Sequence, residues 1–88
     1  MSTSLYWEPV EPRRDLKSLD NGLKYIFGPR YWGHDGTCNG EEIHLTASEI
    51  PYLAGIKDGS VDKDIRRSVD ILIKAIQQYG SVKIWLES

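Results

Sequence analysis

The chain has one cysteine, Cys38, in 88 residues, so no disulfide can close within it. It has no apolar run near the ~18 residues that a bilayer-spanning helix requires, and it has neither internal repeats nor a low-complexity tract. It also lacks an excess of either charge: 11 Lys and Arg stand against 13 Asp and Glu, for a net charge of −2. That balance argues against nucleic-acid binding through bulk electrostatics, which needs a basic excess. It equally argues against a carboxylate-dense mimic of nucleic acid. The opening Met1-Ser2-Thr3-Ser4 shows neither the basic nor the apolar region of a secretory leader. With the single thiol, this points to a reducing, cytoplasmic setting.

The residues that are present are those of a folded chain. Hydrophobic types make up 40% and charged types 27%, enough for one core under an ordinary surface. The length fits a single domain over 1–88. A chain this short buries roughly 60–65% of its unfolded surface. Without a staple or structural metal, an oligomer or a bound partner is expected to add stability.

Leu5 to Val10 is aromatic and β-branched and reads as a strand that Pro9 ends or confines to an edge. Glu11 to Arg14 reads as a turn. Asp15 caps a predicted helix to Phe27, with Ser18 as a rival start, because Leu16, Leu19, Leu23 and Ile26 form one helical face. Gly28-Pro29 then reads as a stop. Glu41 to Thr46 alternates as a strand, with Ile43 and Leu45 on one side and Glu42 and His44 on the other. The next helix has two competing caps. Thr46 with Glu49 forms a capping box, but Ser48 leaves Pro51 in the first turn, where no donor is lost, and Ser48 is preferred. Tyr52, Leu53 and Ile56 face the core, and Asp58-Gly59 ends the helix.

The last helix carries the strongest pattern. Ile65, Val69, Leu72, Ile76 and Tyr79 repeat at helical spacing, and Ile73 widens the stripe. Ser60 is its expected cap, Asp62 and Asp64 lie where the helix dipole favours anions, and Gly80 closes it. Ser81 to Glu87 is a strand with Val82, Ile84 and Leu86 on one face and Lys83 and Trp85 on the other. The order β-α-loop-β-α-α-β gives an α+β fold: a small, mainly antiparallel three-stranded sheet against two or three helices. The two terminal strands are expected to pair.

The reactive side chains concentrate between Gly28 and Gly40, read as a loop without periodicity and long for a compact domain. Arg30, Tyr31 and Trp32 are types enriched at interface hot spots, and His34 and Asp35 follow them. His34, Asp35, Cys38 and His44 are competent zinc ligands, but their spacing matches no standard site. Cys38 with His34 lacks the third, orienting group that a nucleophile and base require. The glycines can aim amides at a phosphate, with Arg30 as cation and Tyr31 or Trp32 stacking on a base, yet the segment lacks the Walker pattern and leads into a strand. Trp7 and Trp85 fall on strands expected to be neighbours. There Trp85 looks outward beside Trp7 or Tyr6, as a stabilising cross-strand pair or as a patch that docks a partner. Arg13-Arg14 and Arg66-Arg67 read as solvated charge, with Arg66 within helical reach of Asp62 and Asp70.

The expectation is a non-enzymatic protein-interaction module without cofactor or metal, of the size of phage or mobile-element inhibitors and accessory proteins. Its partner is another protein or a second copy, and nucleic acid is disfavoured. Its binding residues are Arg30, Tyr31, Trp32, His34, Asp35, Trp7 and Trp85. Two alternatives are a nucleotide-like ligand bound at a subunit boundary, and a metal-dependent enzyme using His34, Asp35 and His44.

Overall fold

A computed structural model describes residues 3–9 and 17–87. Four antiparallel strands form one sheet: β1 (Ser4–Pro9), β2 (Lys17–Ser18), β3 (Gly40–Thr46) and β4 (Ser81–Glu87), in the order β2-β1-β4-β3. β2 is a two-residue edge piece, so the working sheet has three strands. Three helices accompany it: α1 (Asn21–Phe27), α2 (Ile50–Gly59) and α3 (Lys63–Tyr79). The fold is α+β. The terminal strands pair as expected, with Leu5 opposite Leu86 and Trp7 opposite Ile84. Among the described residues no helix is long and apolar enough to cross a membrane.

The period-two pattern decides what each sheet face does. Leu5 on β1, Leu45 on β3, and Val82, Ile84 and Leu86 on β4 are buried, in one cluster with Leu23 and Phe27 of α1, Leu53 of α2, and Val69, Leu72 and Ile76 of α3. The helices therefore lie over that face. At ~25 cal/mol per Å², burial of such side chains supplies most of the favourable free energy of a small domain. Tyr6, Glu8, Glu42, His44, Lys83 and Trp85 occupy the other face by alternation, and no helix among the described residues lies over it.

Several local expectations are corrected. α1 starts at Asn21 rather than Asp15 or Ser18: Lys17–Ser18 is strand, and the amide of Leu19 donates to the Leu5 carbonyl at 2.8 Å. Leu19 is buried all the same, from an extended backbone. Sheet pairing competes successfully for donors that the helical spacing assigned to α1, and Asp20 caps the shortened helix through Gly22 N–H at 2.9 Å. The turn expected at Glu11–Arg14 lies outside the described residues. Ser48 does not cap α2. A 3₁₀ turn at Ala47–Glu49 feeds the helix, Glu49 precedes it without a side-chain capping bond, and Pro51 sits in the first turn as expected. Asp62, not Ser60, caps α3, accepting from the amides of Asp64 and Ile65 at 2.8 and 3.3 Å, while Ser60 accepts from Asp62 N–H one turn earlier. Gly80 closes α3 at φ 87° as expected. Asp70 pairs with Lys57 at 2.7 Å and Lys74 at 2.9 Å, joining α2 to α3, and not with Arg66.

Candidate functional site

The segment read as an irregular loop begins as helix. After Phe27 the chain continues in a π-helical turn over Gly28–Trp32, closed by the Gly33 N–H on the Gly28 carbonyl at 2.9 Å. Gly28-Pro29 is therefore a continuation and not a stop. A proline disfavours helical backbone in the residue before it partly through that residue's Cβ, which Gly28 lacks, and Pro29 itself tolerates a first turn. Gly28 has a second reason to be glycine: a Cβ there would lie 2.5 Å from the Gly36 nitrogen and the His34 carbonyl. The wide turn, a form often found at functional sites, sends Arg30 and Tyr31 to Glu49 and Trp32 to the Glu41 carbonyl.

Tyr31 points inward. Its ring meets Phe27 edge-on at 5.3 Å and Tyr52 at 6.2 Å. Its hydroxyl donates to Glu49 Oε1 at 2.7 Å. Burial, with the Glu49 carboxylate adding to it, pushes that hydroxyl well above the usual tyrosine range. Arg30 lies flat on Tyr52, its Cζ 3.7 Å from the ring centroid, and reaches the same Glu49 oxygen at 3.4 Å. Its side chain remains 43% exposed, so the outer edge of a guanidinium held in place by stacking faces solvent.

Trp32 turns the other way. It packs over Gly40, donates from Nε1 to the Glu41 carbonyl at 2.7 Å, and stacks on His34 at 6.4 Å and 15°. His34 Nδ1 accepts the Gly36 N–H at 3.0 Å, and its Nε2 is buried with no partner among the described residues. Asp35 is held to Thr37, whose hydroxyl and then amide keep the carboxyl below its ordinary range.

Glu41 and Glu42 form a bulge. β3 pairs Gly40 with Leu86 and Ile43 with Ile84, so two residues stand opposite Trp85 alone. Trp85 stacks on Tyr6 at 5.8 Å and 22° on the face without helices. In the next row Lys83 bonds Glu8 at 2.8 Å and lies 3.6 Å from Glu42. The Glu8 bond, with the Glu42 carboxylate behind it, holds the Lys83 ammonium above its usual range. The bulge thus separates two aromatic groups by one strand width: Trp32 at the β3 edge and the Trp85–Tyr6 stack on the open face.

The expected neighbourhood of Trp7 and Trp85 is corrected. Trp7 pairs with Ile84 and shares the inner face with Leu5, packed against the core, so the two indoles lie on opposite sides of the sheet. One residue of register decides this, and Tyr6 is the partner of Trp85. Among the described residues no group of three or more His, Cys, Asp or Glu is placed to hold a metal ion. His44 lies on the sheet face, exposed Cys38 in the loop, and the Asp35 carboxylate on Thr37. The Arg30 guanidinium faces a carboxylate, which disfavours a phosphate role. The one groove described, about 360 Å³ and open, is lined by Ile26, Ile56, Gly59 and Ser60 and touches none of the expected binding residues.

Sequence reasoning missed Glu49 and Tyr52 as parts of this corner. It placed Glu49 in a capping box and Tyr52 in the core, because their partners lie some twenty residues upstream. It also missed Lys24, which is buried, donates to the Thr3 carbonyl at 2.5 Å and ties the start of β1 to α1; its place beside Leu23 and one turn before Phe27 was the available signal. Comparison with protein-family models, with curated proteins and with solved structures finds no match to this chain.

Proposed function

We propose that this chain is a non-enzymatic protein-interaction module whose contact surface is the corner built by Arg30, Tyr31, Trp32, Tyr52 and Glu49. That surface continues past the β3 bulge to Trp85 and Tyr6. The observation that carries the reading is the guanidinium of Arg30, laid on Tyr52 and fixed by Glu49 with its outer edge in solvent. Arg, Tyr and Trp are the types that dominate binding energy in protein interfaces, because they bury large area and still offer polar contacts. Holding the arginine by stacking removes much of the ordering cost that docking would otherwise carry.

The acidic side chains around the sheet aromatics, Glu8, Glu41, Glu42 and Glu87 against Lys83, favour a partner that presents cations there rather than a polyanion. Trp7 plays no part in this surface.

The test is comparative capture from cells that carry the protein, with the natural chain, Arg30→Ala, Trp85→Ala and Gln77→Ala as baits. Gln77 is exposed on α3. A polypeptide retained by the natural chain and Gln77→Ala but lost with Arg30→Ala supports the reading. One retained equally by all four variants, or lost only with Gln77→Ala, overturns it.

A further inference from the structure

The geometry points to His34 as a proton-operated latch on this corner: the neutral ring holds the loop 33–39 closed behind Trp32, and protonation opens it. Nδ1 accepts the Gly36 N–H at 3.0 Å, so in the closed loop the ring proton resides on Nε2. Nε2 is buried with no acceptor among the described residues. A second proton therefore has only Nδ1 to go to, and there it faces an N–H donor. The bond becomes a repulsion, and Nε2 stays buried without an acceptor among the described residues. Opening the loop lets both nitrogens reach solvent.

The closed loop is tight enough for this to matter. Gly36 sits at φ 84° with its backbone against the Lys24 carbonyl, where a Cβ would lie 2.3 Å from the oxygen, and Gly28 is packed as closely against His34 and Asp35. Most of the titratable and charged groups on the surrounding elements are committed to other partners. Lys24 on α1 gives its ammonium to Thr3. Arg30 and Tyr31 on the π turn are directed to Glu49. In the loop, the Asp35 carboxylate is the group that attracts a charge on His34, but it is exposed and screened by solvent, and its Oδ1 is held by Thr37. Exposed Cys38 and, on β3, exposed Glu41 show no bond to the ring.

Because Trp32 stacks on the His34 ring, release of the ring removes one wall of the indole's seat. The consequence for partner binding rests on the proposed interaction surface; the latch itself does not. Protonation of His34 is thereby expected to weaken binding of the partner.

The experiment uses the free chain, so that a missing latch and a missing partner give separate results. Hydrogen exchange of the Gly36 amide, corrected for the intrinsic pH dependence of exchange, is followed by NMR together with the His34 ring nitrogens from about pH 8 to about pH 5. Protection of Gly36 is expected to fall about tenfold, the equivalent of roughly one hydrogen bond, in step with protonation of His34. His34→Asn keeps an acceptor at the same place but takes up no proton, and its Gly36 amide is expected to stay protected throughout. His34→Ala is expected to leave it unprotected throughout, and His44→Ala to change nothing. A Gly36 amide equally protected at both ends of the range in the natural chain, or the same pH-dependent loss in His34→Asn, overturns the latch.

Discussion

The half of the molecule formed by α3 and β4 and the corner formed by the π turn and its loop are held by different physics. In α3 and β4, Val69, Leu72, Ile76, Val82, Ile84 and Leu86 lie almost wholly out of water. Their contribution is non-directional and scales with area. In the corner the contacts are directional: one carboxylate shared by a hydroxyl and a guanidinium, one indole N–H on a carbonyl, one imidazole nitrogen on an amide. Each contributes modestly and only while its geometry holds. The first region specifies the fold and tolerates little loss of volume. The second depends on alignment, can be rearranged at low cost, and is suited to contact with something else.

Breaking the scaffold side of this contrast gives the largest effect. Leu72→Ala removes a fully buried side chain from the centre of the cluster and is expected to lower unfolding free energy by about 2–5 kcal/mol, measured by urea denaturation. Next comes a pair of glycines with nearly the same φ. Gly36 and Gly80 have φ of 84° and 87°, but a Cβ on Gly80 meets nothing, whereas one on Gly36 meets a backbone oxygen. Gly80→Ala is expected to cost about 1 kcal/mol from conformation alone. Gly36→Ala should fall at the upper end of the ~1–3 kcal/mol range for strained sites, with the loss localised to the loop by hydrogen exchange. Equal costs at the two positions would mean that the loop is not wedged against α1.

The comparison sharpens at Tyr31. Tyr31→Phe removes the bond to Glu49 and is expected to cost about 1 kcal/mol at neutral pH. Because the folded hydroxyl keeps its proton where the unfolded chain has lost it, Tyr31 contributes fully below about pH 10 and progressively less above it. The fall in denaturation midpoint above that pH is therefore expected to be shallower in Tyr31→Phe. The smallest effect belongs to Asp70. Lys57 and then Lys74 hold its carboxyl below the usual range, so its contribution is present above the ordinary carboxylate pKa of about 4 and is lost as pH falls through its own titration. Asp70→Asn is expected to cost only a few tenths of a kcal/mol, because the pair is screened by solvent.

The same division explains what the sequence disclosed. The stripe from Ile65 to Tyr79 and the alternation from Ser81 to Glu87 are periodic, and periodicity is a local property that burial then enforces, except at Tyr79, which is exposed at the end of α3. Both elements, their facing residues and the pairing of the two terminal strands agree with the fold. The corner was legible only as composition. Nothing near Arg30 announces that its partners are Glu49 and Tyr52, or that Gly28 serves close packing rather than helix termination. The start of α1 was misread for a related reason: the amide of Leu19 is claimed by Leu5, a contact fourteen residues away that no local spacing encodes.

The central claim is that the corner, and not the exposed face of α3, meets the partner. Its most direct test places a photo-crosslinking p-benzoylphenylalanine at Pro29 in one variant and at Gln77 in another, both exposed positions, with irradiation in cells that carry the protein. The expected result is a covalent adduct to another polypeptide from position 29, abolished by Arg30→Ala, and none from position 77. Adducts from position 77 alone, or an adduct at 29 that survives Arg30→Ala unchanged, would contradict the account.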